Sequence, residues 1–442
     1  MSARAPELGI PRTTIADLGL PAVRGAEDHI QRFATQRLSP EARAWLEGRA
    51  RHLGVTDEFV RVVTHFATPS GHTPAGFRVE LTLDADGVLR ADLVRDIGRD
   101  ADGVPRPTRL LFSADTANPH ELAPVASLIA NLTCNPGIIY DLFINNPKAN
   151  PNREFTTRDQ VMTEIGRILG PGADISVELN NPFEPDFARI IDEVEQLRDI
   201  LSPWRLVIKV PHTGPVNAGN VGQLLTGNRK LDRRWFEPAT ADSFAGHNLA
   251  LRLREHGYRV NFTLMFEPHQ IQLALQARPT FVNSFVRHRL VQSARIAALL
   301  ARHDQTHDDQ VLAELRDYLV DIDQLAATDT DFDLHQARDR GMTMLAYRRF
   351  TTPEGSDGLD TARHNLRVLR QANLPDTRLI VCSMEGDTMY PDIDRMLMEP
   401  EFADMVDRVV VTAEPGYLAR FASAGQVVSY QRRFMQAAQG QT

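Results

Sequence analysis

Short apolar runs alternate with stretches of helical character over most of the chain. Most of the runs are continuously apolar, which is typical of parallel strands buried on both faces. Between two of them, apolar residues recur at helical spacing from Phe187 to Leu201 and predict a helix that covers the sheet. Eight β/α repeats in about 320 residues predict an α/β fold, a closed (β/α)8 TIM barrel. The eight predicted strands are residues 109–114, 126–132, 174–179, 205–210, 259–266, 280–286, 378–383 and 408–412.

A doubly wound open sheet is the alternative fold for such a pattern. No GxGxxG sequence follows any of the predicted strands, so the usual dinucleotide-binding form of that fold is not indicated.

Two stretches between predicted strands are longer than a repeat requires. Residues 217–248 carry the basic sequence NRKLDRRWF, and residues 291–352 have the apolar spacing of two extra helices. Loops that follow the carboxyl ends of barrel strands lie over the active site. We therefore expect both insertions to shape access to it.

The first hundred residues have a different pattern. An amphipathic helical stretch is expected over residues 29–52, and two alternating strands around Asp-Ala-Asp-Gly predict a β-hairpin. A polar linker with Pro105 and Pro107 follows. We expect an N-terminal extension over residues 1–104, a barrel over 105–425 and a C-terminal helix or tail over 426–442.

Composition narrows the class of protein. Of 442 residues, 42% are hydrophobic and 24% charged, as in soluble globular proteins, and the net charge of -9 argues against nucleic acid as a partner. No apolar run is long enough to span a membrane, and residues 1–12 contain no apolar stretch of signal-peptide length. We expect a cytoplasmic protein without membrane contact.

The chain has two cysteines, Cys134 and Cys382. Two are too few for a disulfide framework, and neither has the spacing of a metal site. We expect two buried thiols in core strands.

Lysine is scarce: of 49 basic residues only three are lysines, at positions 148, 209 and 230. Lys209 lies inside the predicted strand RLVIKV, where an ammonium is costly to bury unless its pKa falls. A partly neutral amine of this kind is a nucleophile that forms Schiff bases with carbonyl compounds. Alternatively, Lys209 reaches outward from the strand end or pairs with a carboxylate inside the barrel.

Polar side chains also occur near the carboxyl ends of other predicted strands. Each has an ordinary structural explanation, such as helix capping by Asp115 or a turn at Asn135. At one barrel mouth, however, they would place two carboxylates and several hydrogen-bonding groups around one lysine, as Schiff-base chemistry requires. These residues are Asp115, Asn135, Glu178, Asn261 and Thr263.

With these residues in place, the sequence resembles the transaldolase and fructose-6-phosphate aldolase family of class I aldolases. The resemblance covers about residues 109–290 and is carried by ADTANPHEL, LTCNPGII, ISVEL, VIKVPHT, VNFTLMF and FVNSFV. It implies a β/α barrel and transfer of a dihydroxyacetone unit from a ketose to an aldehyde, with no metal or organic cofactor.

The resemblance also implies a role for each matching residue. Lys209 would form the Schiff base, and Glu178 would act as acid and base through a water that Thr263 also holds. Asp115 would take the proton of the substrate hydroxyl as the carbon–carbon bond breaks. The three-carbon unit would be bound by Asn135 and Asn261.

The sequence departs from the family where substrate phosphate is usually held. The family's sixth strand usually ends in Ser-Pro-Phe-Val-Gly-Arg, and His288 occupies the position of this arginine. A second phosphate-binding arginine usually follows strand seven, and its position, two residues after Ser383, is Glu385. A carboxylate there would repel a phosphate. If Glu385 faces a neutral substrate, Glu385→Arg should improve the use of phosphorylated ketoses. The candidate substrate contacts in the first of these segments are Asn283, Ser284, Arg287, His288 and Arg289.

We therefore expect a sugar that lacks phosphate at the usual end, or a phosphate held by other basic residues. The leading hypothesis is a transaldolase-type transferase of carbohydrate metabolism, in the pentose phosphate pathway or a specialised sugar pathway. The alternatives are a lyase of the fructose-6-phosphate aldolase type and a non-catalytic sugar-binding barrel. The expected partners are sugars or sugar phosphates and a second copy in a homodimer. The other candidate phosphate contacts are Arg229, Lys230, Arg233 and Arg234.

Overall fold

The protein is described by a computed structural model, and its contacts divide the chain into two compact units. The N-terminal unit comprises Met1–Pro107 with the short segments Gly170–Ala173 and Ser202–Arg205. The barrel unit comprises Thr108–Leu169, Asp174–Leu201 and Leu206–Thr442. The structure describes residues 13–65, 71–74, 76–99, 104–201, 205–326, 328–329, 332–384 and 386–440.

The N-terminal unit contains a three-stranded sheet of β1 (His52–Val55), β2 (Phe77–Leu83) and β3 (Val88–Arg95) in the order β1-β3-β2. Strands β2 and β3 pair in antiparallel register, so the predicted hairpin is confirmed. The helices are α1 (Glu27–Ile30), α2 (Pro40–Leu46) and α3 (Asp57–His65). Buried Phe33, Leu53, Phe59 and Leu89 form part of this unit's apolar core.

The helical stretch expected over residues 29–52 is only partly present. α1 ends at Ile30, and α2 begins afresh at Pro40, where the Ser39 side chain accepts a hydrogen bond of 3.1 Å from the Ala42 amide. Proline at the first helical position cannot continue a preceding helix, and His52 already belongs to β1. Apolar spacing alone did not reveal these breaks.

The barrel unit contains eight parallel strands that close on themselves, so the predicted TIM barrel is confirmed. Each predicted strand is present within a few residues of its expected bounds. Closure is made by β11, which pairs with β10 on one side and with β4 on the other, and this excludes the open sheet. The strands are β4 (Leu111–Asp115), β5 (Ile129–Cys134), β6 (Asp174–Glu178), β7 (Arg205–Pro211), β8 (Val260–Thr263), β9 (Phe281–Phe285), β10 (Arg378–Cys382) and β11 (Val409–Ala413).

Helices connect successive strands of the barrel. The helix predicted from the spacing between Phe187 and Leu201 spans those same residues as α6. A π-helix, Gly137–Ile144, follows β5. The others are α4 (Pro119–Leu122), α5 (Arg158–Leu169), α7 (Thr240–Glu255), α8 (Gln270–Gln276), α9 (Arg287–Thr306), α10 (Asp309–Asp321), α11 (Leu334–Tyr347), α12 (Asp360–Gln371), α13 (Gly386–Met398), α14 (Pro415–Arg420) and α15 (Gly425–Ala438).

The second insertion contains more helices than the two expected. α9, α10 and α11 all precede α12 and share an apolar core that includes Ile296, Leu315 and Met344. The break between α9 and α10 is made by His307, which has a left-handed backbone with φ of 53°, and by Asp308, whose side chain caps α10. The apolar spacing predicted α9 and α10 but not α11, which begins after Asp333, whose side chain accepts a hydrogen bond from the Gln336 amide.

Both cysteines are free and buried, as predicted. No helix in the described part of the chain combines the length and apolar character needed to cross a bilayer.

Candidate active site

Lys209 lies on β7 inside the barrel, near its carboxyl-terminal mouth, and its side chain is only 5% exposed. Its Nζ lies 3.3 Å from Oε2 of Glu178, the last residue of the neighbouring strand β6. Parallel strands present their carboxyl ends at one mouth, which brings these two residues together although they are far apart in the sequence. Of the two alternatives for Lys209, the ion pair within the barrel is the one observed.

The charge of Lys209 differs from expectation. Burial by itself lowers the pKa of the ammonium, but the carboxylates of Glu178 and Asp115 outweigh burial and hold the pKa of Lys209 above its ordinary 10.5. The expectation of a partly neutral amine is therefore wrong for the protein without substrate. A single strand could not show it, since the carboxylates that stabilise the charge come from two other strands.

Asp115 and Glu178 are buried acids near the same ammonium. Burial raises the pKa of both carboxyls, and although Lys209 opposes this effect, both values stay above the ordinary range. Asp115 Oδ1 also accepts a hydrogen bond of 3.0 Å from Thr133 Oγ1. Because one ammonium lies next to two buried acids, the ionisation of each of the three groups depends on the other two.

Three asparagines provide amide groups around this charge cluster. Asn261 is Lys209's register partner on β8, and both polar atoms of its buried side chain lack a hydrogen-bond partner among the described residues. Asn283 on β9 donates a hydrogen bond of 2.9 Å to Thr263 Oγ1, while Asn135 accepts one of 2.9 Å from the Ile138 amide. Unpaired buried amides are costly, so the Asn261 side chain is a binding group for a polar ligand.

A cavity of about 670 Å³, which includes solvent at its mouth, opens above Lys209. Six of the predicted site residues line it: Asp115, Asn135, Lys209, Asn283, Arg287 and Ser383. Eight other residues line it that sequence reasoning did not select: Thr133, Phe285, Ile380, Cys382, Met384, Thr412, Glu414 and Tyr417.

Cys382 also lines this cavity, and a cysteine thiol is a second possible nucleophile. Burial, which is the largest effect, raises the pKa of the Cys382 thiol well above its ordinary 9.0. A protonated thiol is a poor nucleophile. Lys209 therefore remains the candidate for covalent chemistry.

A comparison with protein families matches residues 112–332, half of the chain, to transaldolase/fructose-6-phosphate aldolase. The chain belongs to this family. Family membership supports aldolase-like sugar chemistry and an enzyme. Comparison with curated proteins finds no match.

The family match ends before β10 and β11. Ser383, Glu414 and Tyr417 therefore line the cavity from a part of the chain that the family match does not cover. Glu414 directly follows β11, just as Asp115 ends β4, so the rule that selected Asp115 would also have selected Glu414.

Glu414 gives this side of the cavity an acidic character. Burial raises its pKa, the charges of Asp115 and Glu121 raise it further, and Arg287 opposes them. Arg287 is the cation whose charge acts on Glu414 at this side of the cavity. Glu385 lies outside the described residues.

Four predicted substrate contacts do not line the cavity: Asn261, the register partner of Lys209, and three residues of β9 and α9. Arg289 is buried and engaged by two carboxylates, Glu267 at 2.9 Å and Asp360 at 2.5 Å. The His288 ring packs against Phe266. Ser284 follows Asn283 on β9 and by strand alternation points to the opposite face. We leave Arg289, His288 and Ser284 out of the proposed site.

The basic residues of the first insertion do not line the Lys209 cavity either. Lys230 Nζ lies 2.9 Å from Asp323, and Arg234 lies 2.9 Å from Asp329, so both residues join the two insertions. Arg233 lies 3.8 Å from Asp242, and Arg229 is an exposed residue with φ of 59°. Their positions give no support to a role in holding substrate phosphate at this cavity. Among the described residues, no group of three or more His, Cys, Asp or Glu side chains is arranged to hold a metal ion.

Proposed function

We propose that this protein is a transaldolase-type transferase that carries a dihydroxyacetone unit from a ketose to an aldehyde through a Schiff base on Lys209. The observation that carries the proposal is a buried lysine 3.3 Å from Glu178, with Asp115 close enough to influence its charge. Membership of the aldolase family gives this arrangement its chemical context.

The first step needs a neutral amine. Glu178, whose pKa is raised by burial, is well placed to accept the Lys209 proton, and the free amine then adds to the ketose carbonyl carbon. Glu178 returns the proton to the hydroxyl of the carbinolamine, which leaves as water and produces the iminium. The acid and the base of this step are thus one carboxyl group.

The second step breaks the carbon–carbon bond. Asp115 removes the proton of the hydroxyl on the far side of the bond, the aldehyde departs, and the bonding electrons pass to the iminium to produce an enamine on Lys209. The unpaired amide group of Asn261 and the side chain of Asn135, which lines the cavity, would bind the hydroxyls of the three-carbon unit. The enamine adds to a second aldehyde, and water then releases the product.

The charges at the cavity favour a substrate that binds without the phosphate contacts usual in the family. Glu414 lines the cavity close enough to Asp115 for each to affect the other, and Arg287 is the cation beside them. We propose that Arg287 binds one end of the sugar while the two acids disfavour a phosphate dianion next to Glu414.

Borohydride trapping tests the Schiff base. Reduction of the protein with a panel of phosphorylated and unphosphorylated ketoses should leave a mass adduct on Lys209. The adduct should be absent from Lys209→Met, which keeps the side-chain volume, and should remain in the control Lys230→Met, whose amine pairs with Asp323. A complete lack of adduct with every ketose would contradict the proposal and favour a binding barrel.

Product analysis separates the transferase from the lyase. With a trapped ketose as donor, a transferase makes its product only when an aldehyde acceptor is added, whereas a lyase releases dihydroxyacetone without one. Release of dihydroxyacetone at the same rate with and without acceptor would show that the lyase alternative is correct.

A further inference from the structure

A second cavity lies in the barrel unit, and it shares no lining residue with the cavity above Lys209. It has about 920 Å³ of empty space, including solvent at its mouth, and its walls are mainly apolar. Trp235 and Phe236 of the first insertion line it, as do Arg340, Met344 and Tyr347 of the second insertion. A mainly apolar cleft of this size with a few convergent polar groups is the usual form of a small-molecule site.

Two hydrogen-bond donors in this cavity have no partner among the described residues. They are Nε1 of Trp235 and Nε of Arg340, and both atoms are buried. The Arg340 guanidinium donates one hydrogen bond of 3.0 Å to Gln324, and it forms no ion pair with any carboxylate of the described residues. Buried donors without an acceptor cost free energy, and a ligand acceptor that reaches them would offset that cost.

The other charges at the cavity are already balanced. Glu267 lies 2.9 Å from Arg289 and 3.8 Å from Arg348, so its negative charge is matched by these two cations. Glu267 also acts on Arg340 electrostatically but forms no ion pair with it, so Arg340 is the lining cation without a carboxylate contact among the described residues. One guanidinium and one indole N–H suit a carboxylate, which carries a single charge and accepts from two donors, better than a phosphate dianion.

The aromatic walls of the cavity indicate the shape of the apolar part of the ligand. The Trp235 and Phe236 rings lie 5.6 Å apart at 87°, and the Arg340 guanidinium carbon lies 5.8 Å from the Phe236 ring centre. Rings held in this way present flat apolar surface beside the cation. We propose that the cavity between the two insertions binds a small molecule that joins a planar apolar body to a carboxylate. This site does not depend on the chemistry proposed for Lys209.

Calorimetric titration with benzoate, 1-naphthoate and indole-3-carboxylate tests the proposal, with 1-naphthamide as an uncharged molecule of matched shape. We expect at least one carboxylate to bind and the amide to bind at least about tenfold more weakly. Arg340→Gln should weaken carboxylate binding by about tenfold or more and Trp235→Phe by about fivefold. The control Arg338→Gln, which removes a half-buried partner of Asp304 from the same helix, should leave binding unchanged.

Melting temperatures of all variants show whether they are folded. If Arg340→Gln is unfolded, Trp235→Phe and the amide comparison still decide the question. Lys209→Met should bind the carboxylate as the unmodified protein does, which separates this site from the proposed aldolase function. The proposal is overturned if none of the three carboxylates binds, or if the amide binds as tightly as the acid.

Discussion

The charge on Lys209 depends on the two acids that share its cavity. Burial disfavours the ionised form of all three groups, yet the ammonium is retained because Glu178 and Asp115 compensate for it. The carboxyls are compensated less well, and their pKa values stay raised. Both carboxyls are therefore shifted toward the protonated form, as is common for acid and base groups in active sites.

Replacing Asp115 by asparagine should show how much stability is lost by keeping this buried carboxyl ionised. A folded-state pKa above the ordinary 3.8 means that Asp115 stabilises the fold below that pH and that this contribution is lost as the pH rises through the folded-state pKa. At pH 8 we expect Asp115→Asn to raise the free energy of unfolding by about 1 kcal/mol while activity falls by about 10²-fold or more.

Urea unfolding at pH 8 and near pH 4 provides the measurement, since the difference between the two proteins should shrink at the lower pH. The control is Asp199→Asn, at an exposed carboxylate beside Arg198. A loss of stability at pH 8 in Asp115→Asn would show that the ionised carboxylate is stabilising after all.

Glu414 should control which sugars the site accepts. Its charge lies in the cavity with Asp115 and disfavours a phosphate group nearby. Glu414→Gln should therefore lower KM for a phosphorylated ketose by about tenfold relative to its unphosphorylated counterpart. Steady-state kinetics on such a pair provides the ratio, and Glu195→Gln, at an exposed carboxylate beside Arg198, serves as the control. An unchanged ratio would remove Glu414 from substrate selection.

At the scale of elements, the position of α7 against β7 depends on one glycine. A Cβ on Gly246 would lie 2.2 Å from the Pro211 carbonyl oxygen, at the end of the strand that carries Lys209. The Gly246 amide also donates a hydrogen bond of 3.2 Å to Thr213 Oγ1. The helix can approach the strand this closely only without a side chain.

Gly246→Ala should therefore destabilise the protein, although alanine has the higher helix propensity. Alanine normally stabilises a helix interior by about 1 kcal/mol relative to glycine, but here we expect a loss of about 1–3 kcal/mol and lower activity. Chemical unfolding measures the change. Gly222→Ala is the matched control, because its Cβ would meet nothing within 4 Å. A more stable Gly246→Ala would contradict the close packing.

At the scale of the whole molecule, closure of the barrel depends on its last strand. β11 lies between β10 and β4, so it joins the end of the barrel sequence to its beginning. The helix α15 that follows contains no buried residue. These two segments near the carboxyl end should therefore contribute very differently to stability.

Two truncations test this difference. A chain ending at residue 424 lacks α15 and should change the free energy of unfolding by less than about 0.5 kcal/mol. A chain ending at residue 408 also lacks β11, leaves β4 and β10 with open edges, and should show no cooperative thermal unfolding by circular dichroism. Cooperative unfolding of the shorter chain would show that seven strands suffice.

Local sequence determined the elements of the barrel. Continuous apolar runs and helical spacing depend only on neighbouring residues, and they located all eight strands and α6. The same local information located Lys209, Asp115 and Glu178, because a polar residue in or after a buried strand is visible without the fold. It did not locate the break that Pro40 makes in the helical pattern of residues 29–52, or the third helix of the second insertion, α11.

Tertiary structure decided how these residues act. Asp360, 71 residues further along the chain, engages Arg289 and removes it from the candidate substrate contacts. The charge of Lys209 follows from carboxylates on two other strands. Electrostatic energy depends on the distance between charges in space. Sequence spacing specifies that distance only within one helix or strand. The charge of Lys209 could therefore be derived only from the closed barrel, which brings the carboxylates of two other strands next to it.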